Sequence, residues 1–225
     1  MIPKFASDVA AISCKLRSRS SRSGLRDKVP NMIGRISLVA SLFCALMFGP
    51  AAIAGPADMA PINAMDRAAF VQKFGGIFEN SPWVAEKAWE KRPFASLDDM
   101  HAAMVAVAKN APAAQQLALL QSHPDLAGKE AQAGTMTASS VAEQASAGLN
   151  TLSAPEFAEL TSLNAAYKAK FGFPFIIAVR MYTKEGIFFE FKRRLQNDTQ
   201  AEFANDLQNV YIITRLRLNK LLDAG

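Results

Sequence analysis

From about residue 61 onward, apolar positions recur every three or four residues, the spacing of helices that bury one face. In "SLDDMHAAMVAVAKNA", Ser96 and Asp99 have capping-box spacing, and Met100, Met104, Val107 and Ala108 follow at helical intervals. "APAAQQLALLQSH" places Pro112 in a first turn, carries Leu117 and Leu120, and ends near His123. "SSVAEQASAGL" again spaces Ser140 and Glu143 as a capping box and stops at Gly148. "SAPEFAELTSLNAAYKAKFG" pairs Ser153 with Glu156, carries Phe157, Leu160, Leu163, Ala166 and Tyr167, and stops at Gly172. The last segment opens at Thr199 and Glu202 and runs Phe203, Leu207, Val210, Tyr211, Thr214 and Leu218 down one side. Only "FPFIIAV" (173–179) and "GIFFEF" (186–191) could be strands, and period alone does not separate short apolar runs from helix. The pattern predicts an all-α fold: one helical bundle of about seven or eight helices over residues 55–225.

The first 54 residues break this pattern. Residues 1–35 hold eight basic groups and two acids. "ISLVASLFCALMFGPAAIA" (36–54) is apolar and ends in Ala52-Ile53-Ala54 before Gly55. A basic n-region, an apolar core and an A-x-A exit are what a signal peptide needs, with cleavage expected after Ala54. Gly49-Pro50 leaves an apolar core of about twelve or thirteen residues, short for a membrane span. An uncleaved anchor and, from the Arg/Ser-rich "KLRSRSSRSGLR", an organelle-targeting segment stand as alternatives. Either Met1 or Met32 could be the start. Export predicts a periplasmic protein, with membrane contact only if the leader is uncleaved; a non-functional leader would leave it cytoplasmic.

Charge follows the same division. The first 35 residues carry +6 and the whole chain +5, so the remainder is −1 and gives no footprint for nucleic acid. Both cysteines, Cys14 and Cys44, lie in the leader, leaving the rest without disulfide, thiol nucleophile or cysteine ligand. There is no H-x-x-x-H pair, no phosphate-loop fingerprint and no G-x-S-x-G elbow, so no metal or cofactor is expected. What is left is histidine, carboxylates, arginines, hydroxyls and backbone amides, a set suited to acid–base chemistry on a small polar molecule.

Two histidines are candidates. His101 sits in an alanine-rich helical pattern and reads as an ordinary exposed helix residue. His123 closes a helix, and Pro124 restricts its backbone to extended conformations. It could aim its ring into a cleft, or simply complement the helix dipole. Glu143 is open in the same way: a capping residue serving the N–H of Ser140, or a partner that orients and tunes His123. Ser140, Gln144 and free first-turn amides could together bind an anion or ring carbonyl.

"SPWVAEKAWEKRPF" (81–94), "HPDLAGK" (123–129), "SVAEQASAGL" (140–149), "LNAAYKAKFGFPFIIAV" (163–179) and "RRLQN" (193–197) resemble the 2-oxo-4-hydroxy-4-carboxy-5-ureidoimidazoline (OHCU) decarboxylases of urate degradation, which form (S)-allantoin. The resemblance covers about residues 62–222 in five motifs in order. It implies an all-α, cofactor-free carboxy-lyase of purine metabolism, commonly a homodimer, acting on a small-molecule ureidoimidazoline. It implies His123 and Glu143 as catalytic residues. Substrate contacts are implied for Pro124, Ser140, Val141, Ala142, Gln144, for Phe175, Ile176, Ile177, Ala178 and Val179, and for an arginine on the last helix. That arginine is Arg217 or its near neighbour Arg215.

In such a reaction the substrate's own carbonyl or imine accepts the electrons left by CO₂, so no external electron sink is required. His123 would handle the hydroxyl proton and the final protonation, and Arg217 would hold a carbonyl or carboxylate in its planar fork. The leader departs from the family's usual intracellular setting. It leaves room for an alternative: an exported, non-catalytic helical protein of the same fold that binds ureides.

Overall fold

The computed structural model describes residues 58–223; the apolar stretch 36–54, the cleavage position and both cysteines lie outside them. Among the described residues there are ten α-helices and no strand. They are α1 (Ala60–Asn63), α2 (Arg67–Phe74), α3 (Trp83–Trp89), α4 (Leu97–Lys109), α5 (Ala113–Gln121), α6 (Lys129–Ala133), α7 (Ala138–Ser146), α8 (Ala154–Phe171), α9 (Lys184–Arg194) and α10 (Thr199–Asp223). A 3₁₀ turn, Val179–Met181, precedes α9. The count exceeds the expected seven or eight because α1 and α6, of four and five residues, are too short to show a period.

Local chemistry sets most helix ends. Ser96 caps α4 by accepting from the Asp99 N–H, and Asp99 returns the bond to Ala95. Ser153 and Glu156 form a complete capping box on α8, which ends at Gly172 with φ +83°. Asp198, rather than Thr199, caps α10, accepting from the Ala201 N–H. Thr137, rather than Ser140, caps α7: its hydroxyl accepts from the Ser140 N–H. Glu143 therefore lies well inside the helix and caps nothing.

Both candidate strands fail for identifiable reasons. Residues 186–191 belong to α9, where Ile187 and Phe191, four apart, are buried while Phe189 is 66% exposed. Residues 173–178 are not helical but pair with no strand; side chains of α9 and α10 take up their backbone groups instead. Asp206 accepts from the Ile176 N–H, Asn209 accepts from the Ala178 N–H, and Arg194 donates to the Ile176 carbonyl.

α2 packs on α3 and α3 on α4, while α10 lies against α4 and α8. An aromatic cluster holds the extended segment to α8 and α9. Phe175 stacks on Phe191 at 3.9 Å, and the Tyr167 ring meets both edge-on at 5.3 and 5.6 Å. A buried ion network lies beside it, with Arg194 bonded to both Glu202 and Asp206. The Tyr167 hydroxyl and the Asn197 amide donate to the same carboxylates. The expected apolar stripe of α10 is correct at Val210 and Leu218, but its inner face also carries Glu202, Asp206 and Arg217.

His101 is half-buried rather than exposed. Its Nε2 lies 3.1 Å from the Tyr211 carbonyl and 3.0 Å from the Thr214 hydroxyl, joining α4 to α10.

Candidate active site

Five pieces of chain meet at one place: the end of α5, the inner face of α7, the segment before the 3₁₀ turn, the last third of α10, and the turn between α2 and α3. His123 is the second residue beyond the end of α5, after the C-cap Ser122. Its Nδ1 lies 2.9 Å from the Leu119 carbonyl, which can only accept, so Nδ1 carries the proton in the neutral ring. Nε2 is then a lone pair, buried and without a partner, on the wall of a cavity of about 40 Å³. Burial pushes the His123 pKa below the usual imidazole value; the charge of Glu79 opposes this without reversing it.

The loop after His123 is braced from three sides. The Gln144 side-chain carbonyl accepts from the Ala127 N–H at 2.7 Å and its amide donates to the Asp125 carbonyl. Asn164 donates to the Leu126 carbonyl, and Lys168 pairs with Asp125 at 2.5 Å. Gln144 therefore lines the cavity with its amide already committed.

Arg217 is the centre of the charged part. Its Nε and Nη2 grip Glu143 through both oxygens at 2.9 and 2.8 Å. Nη1 donates to Glu79 at 2.7 Å and to the Ile77 carbonyl at 3.3 Å, and Nη2 also reaches the Ser140 hydroxyl at 3.2 Å. All five guanidinium N–H groups are thus used within the protein, between two buried carboxylates. Arg215 pairs instead with Asp98 at 2.6 Å, so of the two arginines it is Arg217 that enters this cluster.

Glu79 is the residue that sequence reasoning missed. It is 3% exposed, has φ +52°, and accepts from Thr137, Ser140 and Arg217. Burial pushes its pKa up, but the Arg217 guanidinium and the Thr137 hydroxyl prevail and hold it below the usual carboxylate range. No spacing in "GGIFENSPW" marks it; a lone acid in a polar turn reads as solvated.

The other expected residues divide by helix geometry. Pro124, Ser140, Glu143, Phe175, Ile176, Ile177 and Val179 line the cavity with His123. Val141 and Ala142 do not: residues turn about 100° apart on a helix, so the face that aims Ser140, Glu143 and Gln144 inward leaves Val141 46% exposed. Ala178 lines a smaller neighbouring cavity with Glu143. Glu143 makes no hydrogen bond to His123; its partner is Arg217.

The family model described as OHCU decarboxylase matches residues 63–219. The chain is 41% identical over 167 residues to the 2-oxo-4-hydroxy-4-carboxy-5-ureidoimidazoline decarboxylase of Mus musculus, covering 74% of this chain and 94% of that protein. It is 41% identical over 157 residues to the protein of the same name from Haloferax volcanii, covering 70% and 91%. A solved structure of an (S)-allantoin synthase matches with TM-score 0.58 and 28% identity, over 74% of this chain and 54% of the other.

Proposed function

The chain belongs to the OHCU decarboxylase family, and from that premise we propose that it is a carboxy-lyase converting OHCU to (S)-allantoin and CO₂ in urate degradation. One observation carries the reading at the level of atoms: a buried imidazole nitrogen with a free lone pair sits on a cavity wall that the Glu143–Arg217 pair completes. Nε2 of His123 accepts the substrate hydroxyl proton. The ring carbon–carboxylate bond then breaks, CO₂ leaves, and the electron pair moves into the substrate's adjacent carbonyl or imine. Nε2 returns its proton to one face of the ring, and a solvent proton neutralises the atom that took the pair. The depressed pKa of His123 keeps Nε2 unprotonated and ready for the first step at neutral pH.

Glu143 and Arg217 form the polar wall against which the substrate is held, and Arg217 can offer its planar fork to a carbonyl or carboxylate only by giving up part of Glu143. Ser140 and the backbone around Phe175–Val179 contribute shape and hydrogen-bonding groups. The reaction needs no cofactor, since the substrate is its own electron sink. The protein acts as a homodimer after the habit of its family, and light scattering on the purified protein tests this.

The leader carries the reading of location: residues 1–54 direct export to the periplasm and are removed after Ala54. A purified protein from exporting cells that begins at Gly55 supports this, and one retaining residues 36–54 refutes it.

For the activity, the protein is supplied with OHCU generated from urate by urate oxidase and hydroxyisourate hydrolase. Circular dichroism then follows optically active allantoin. Rapid appearance of the (S) form is expected. A trace identical to the enzyme-free control, from folded protein, would leave the ureide-binding alternative in its place.

A further inference from the structure

The cavity at His123, about 40 Å³, has room for a water or two and not for a substituted five-membered ring. A second cavity of about 410 Å³ shares two wall residues with it: Glu143 and Arg217 line both. It has the size of a ligand pocket. Its walls carry Lys73 from α2, Arg180 from the 3₁₀ turn and Lys220 from α10, all three exposed and none paired with a carboxylate among the described residues. Ala138 and Ser139, in the first turn of α7, add the positive end of a nine-residue helix to the same wall. The single acid lining it is Glu143, whose charge is already held by Arg217.

A cleft so charged draws anions, and its floor is a guanidinium that already donates two bonds to a carboxylate. A second carboxylate can take the place of Glu143 on that fork and keep the bonds of Arg217, leaving Glu143 to face the cleft it lines. The exchange would free Glu143 and open the cleft to the chamber at His123. We infer that this basic cleft, bounded by Lys73, Arg180 and Lys220, is the way in for the anionic substrate, and that the substrate carboxylate opens the Glu143–Arg217 fork as it arrives. The inference rests on the decarboxylase reading, because it takes the ligand to be a ring bearing a carboxylate.

Two variants test it. Lys73→Glu/Arg180→Glu/Lys220→Glu reverses the charge of the cleft at three exposed positions. Gly76→Trp fills the cleft without changing charge, at a position where an added Cβ meets nothing within 4 Å. With folding verified by thermal melting, the triple variant should lose about tenfold or more in kcat/KM at low salt while kcat is retained, with the difference shrinking as salt is raised. Gly76→Trp should lower kcat/KM at every ionic strength. Wild-type kcat/KM in both variants overturns the inference. Absence of turnover in the wild type bears on the decarboxylase reading alone. The cleft is then decided by calorimetric titration with hydantoin-5-acetate, a stable ring carrying a carboxylate, against uncharged hydantoin. At least tenfold weaker binding of the anion to the triple variant supports the cleft; equal affinity, or none in the wild type, refutes it.

Discussion

Replacing Glu79 by Gln removes one negative charge from a buried, multiply bonded group while keeping its shape. The carboxylate accepts from the Thr137 hydroxyl at 2.8 Å, the Ser140 hydroxyl at 2.9 Å and Arg217 at 2.7 Å. Breaking a buried ion pair by removing one partner costs about 3–5 kcal/mol when the remaining charge is stranded. Here Arg217 keeps Glu143, so the loss is closer to one hydrogen bond to a charged group, about 2 kcal/mol. For a domain of this size that predicts a melting temperature roughly 4–8 °C lower.

A second readout separates the site from mere stability. The Glu79 charge is the strongest influence raising the pKa of His123, so its removal should move the His123 limb of the kcat/KM profile to lower pH. Thermal melting and a pH–rate series on the purified variant check both effects. A variant that melts with the wild type and keeps the same limb would refute the placement of Glu79 behind the site.

His123→Asn should keep the fold and lose roughly 10²–10⁴ in kcat, the usual contribution of a general acid–base group, measured by the same dichroism assay. Glu143→Gln should reduce turnover and also destabilise, because Glu143 grips Arg217 and caps nothing; wild-type rate and melting would contradict that. Arg194→Met strands two buried carboxylates beneath Ile176 and should cost about 3–5 kcal/mol, read from denaturant unfolding. His123 also gives a pH signature of stability. Its folded pKa lies below the ordinary value of 6.5, so its contribution is complete above that value and is lost as pH falls from there through the folded pKa; in His123→Asn this part of the pH dependence should vanish.

Much of this was legible from the chain. Periodicity located the long helices, and Pro124 pointed to His123 as a held residue. Three of the five quoted motifs, 123–129, 140–149 and 163–179, carry most of the cavity wall. Ser140 and Glu143 misled because "TASS" offers three hydroxyls in four residues, and the one that caps is Thr137; the three-residue offset to Glu143 is a coincidence of helix pitch. Amphipathic reasoning places charges outside, so Glu79, Arg194, Glu202 and Asp206 could not be seen as interior. Each is buried beside partners on another element, Arg194 of α9 against Glu202 and Asp206 of α10, and Glu79 against α10. Glu79 meets Arg217 across 138 positions, a pairing that no local window contains.

α10 carries both ion networks on one rigid rod. Asp206 holds the Ile176 N–H, Thr214 meets His101, and Arg217 enters the site, all on a single 25-residue helix. An α-helix advances about 1.5 Å and turns about 100° per residue. One residue inserted between Asp206 and Arg217 would therefore leave the first network in place and swing the guanidinium away from both its carboxylates. The helix acts as a ruler whose divisions cannot be subdivided. Changes of length can be absorbed in the turns between helices, but between positions 202 and 217 the chain has only one workable count.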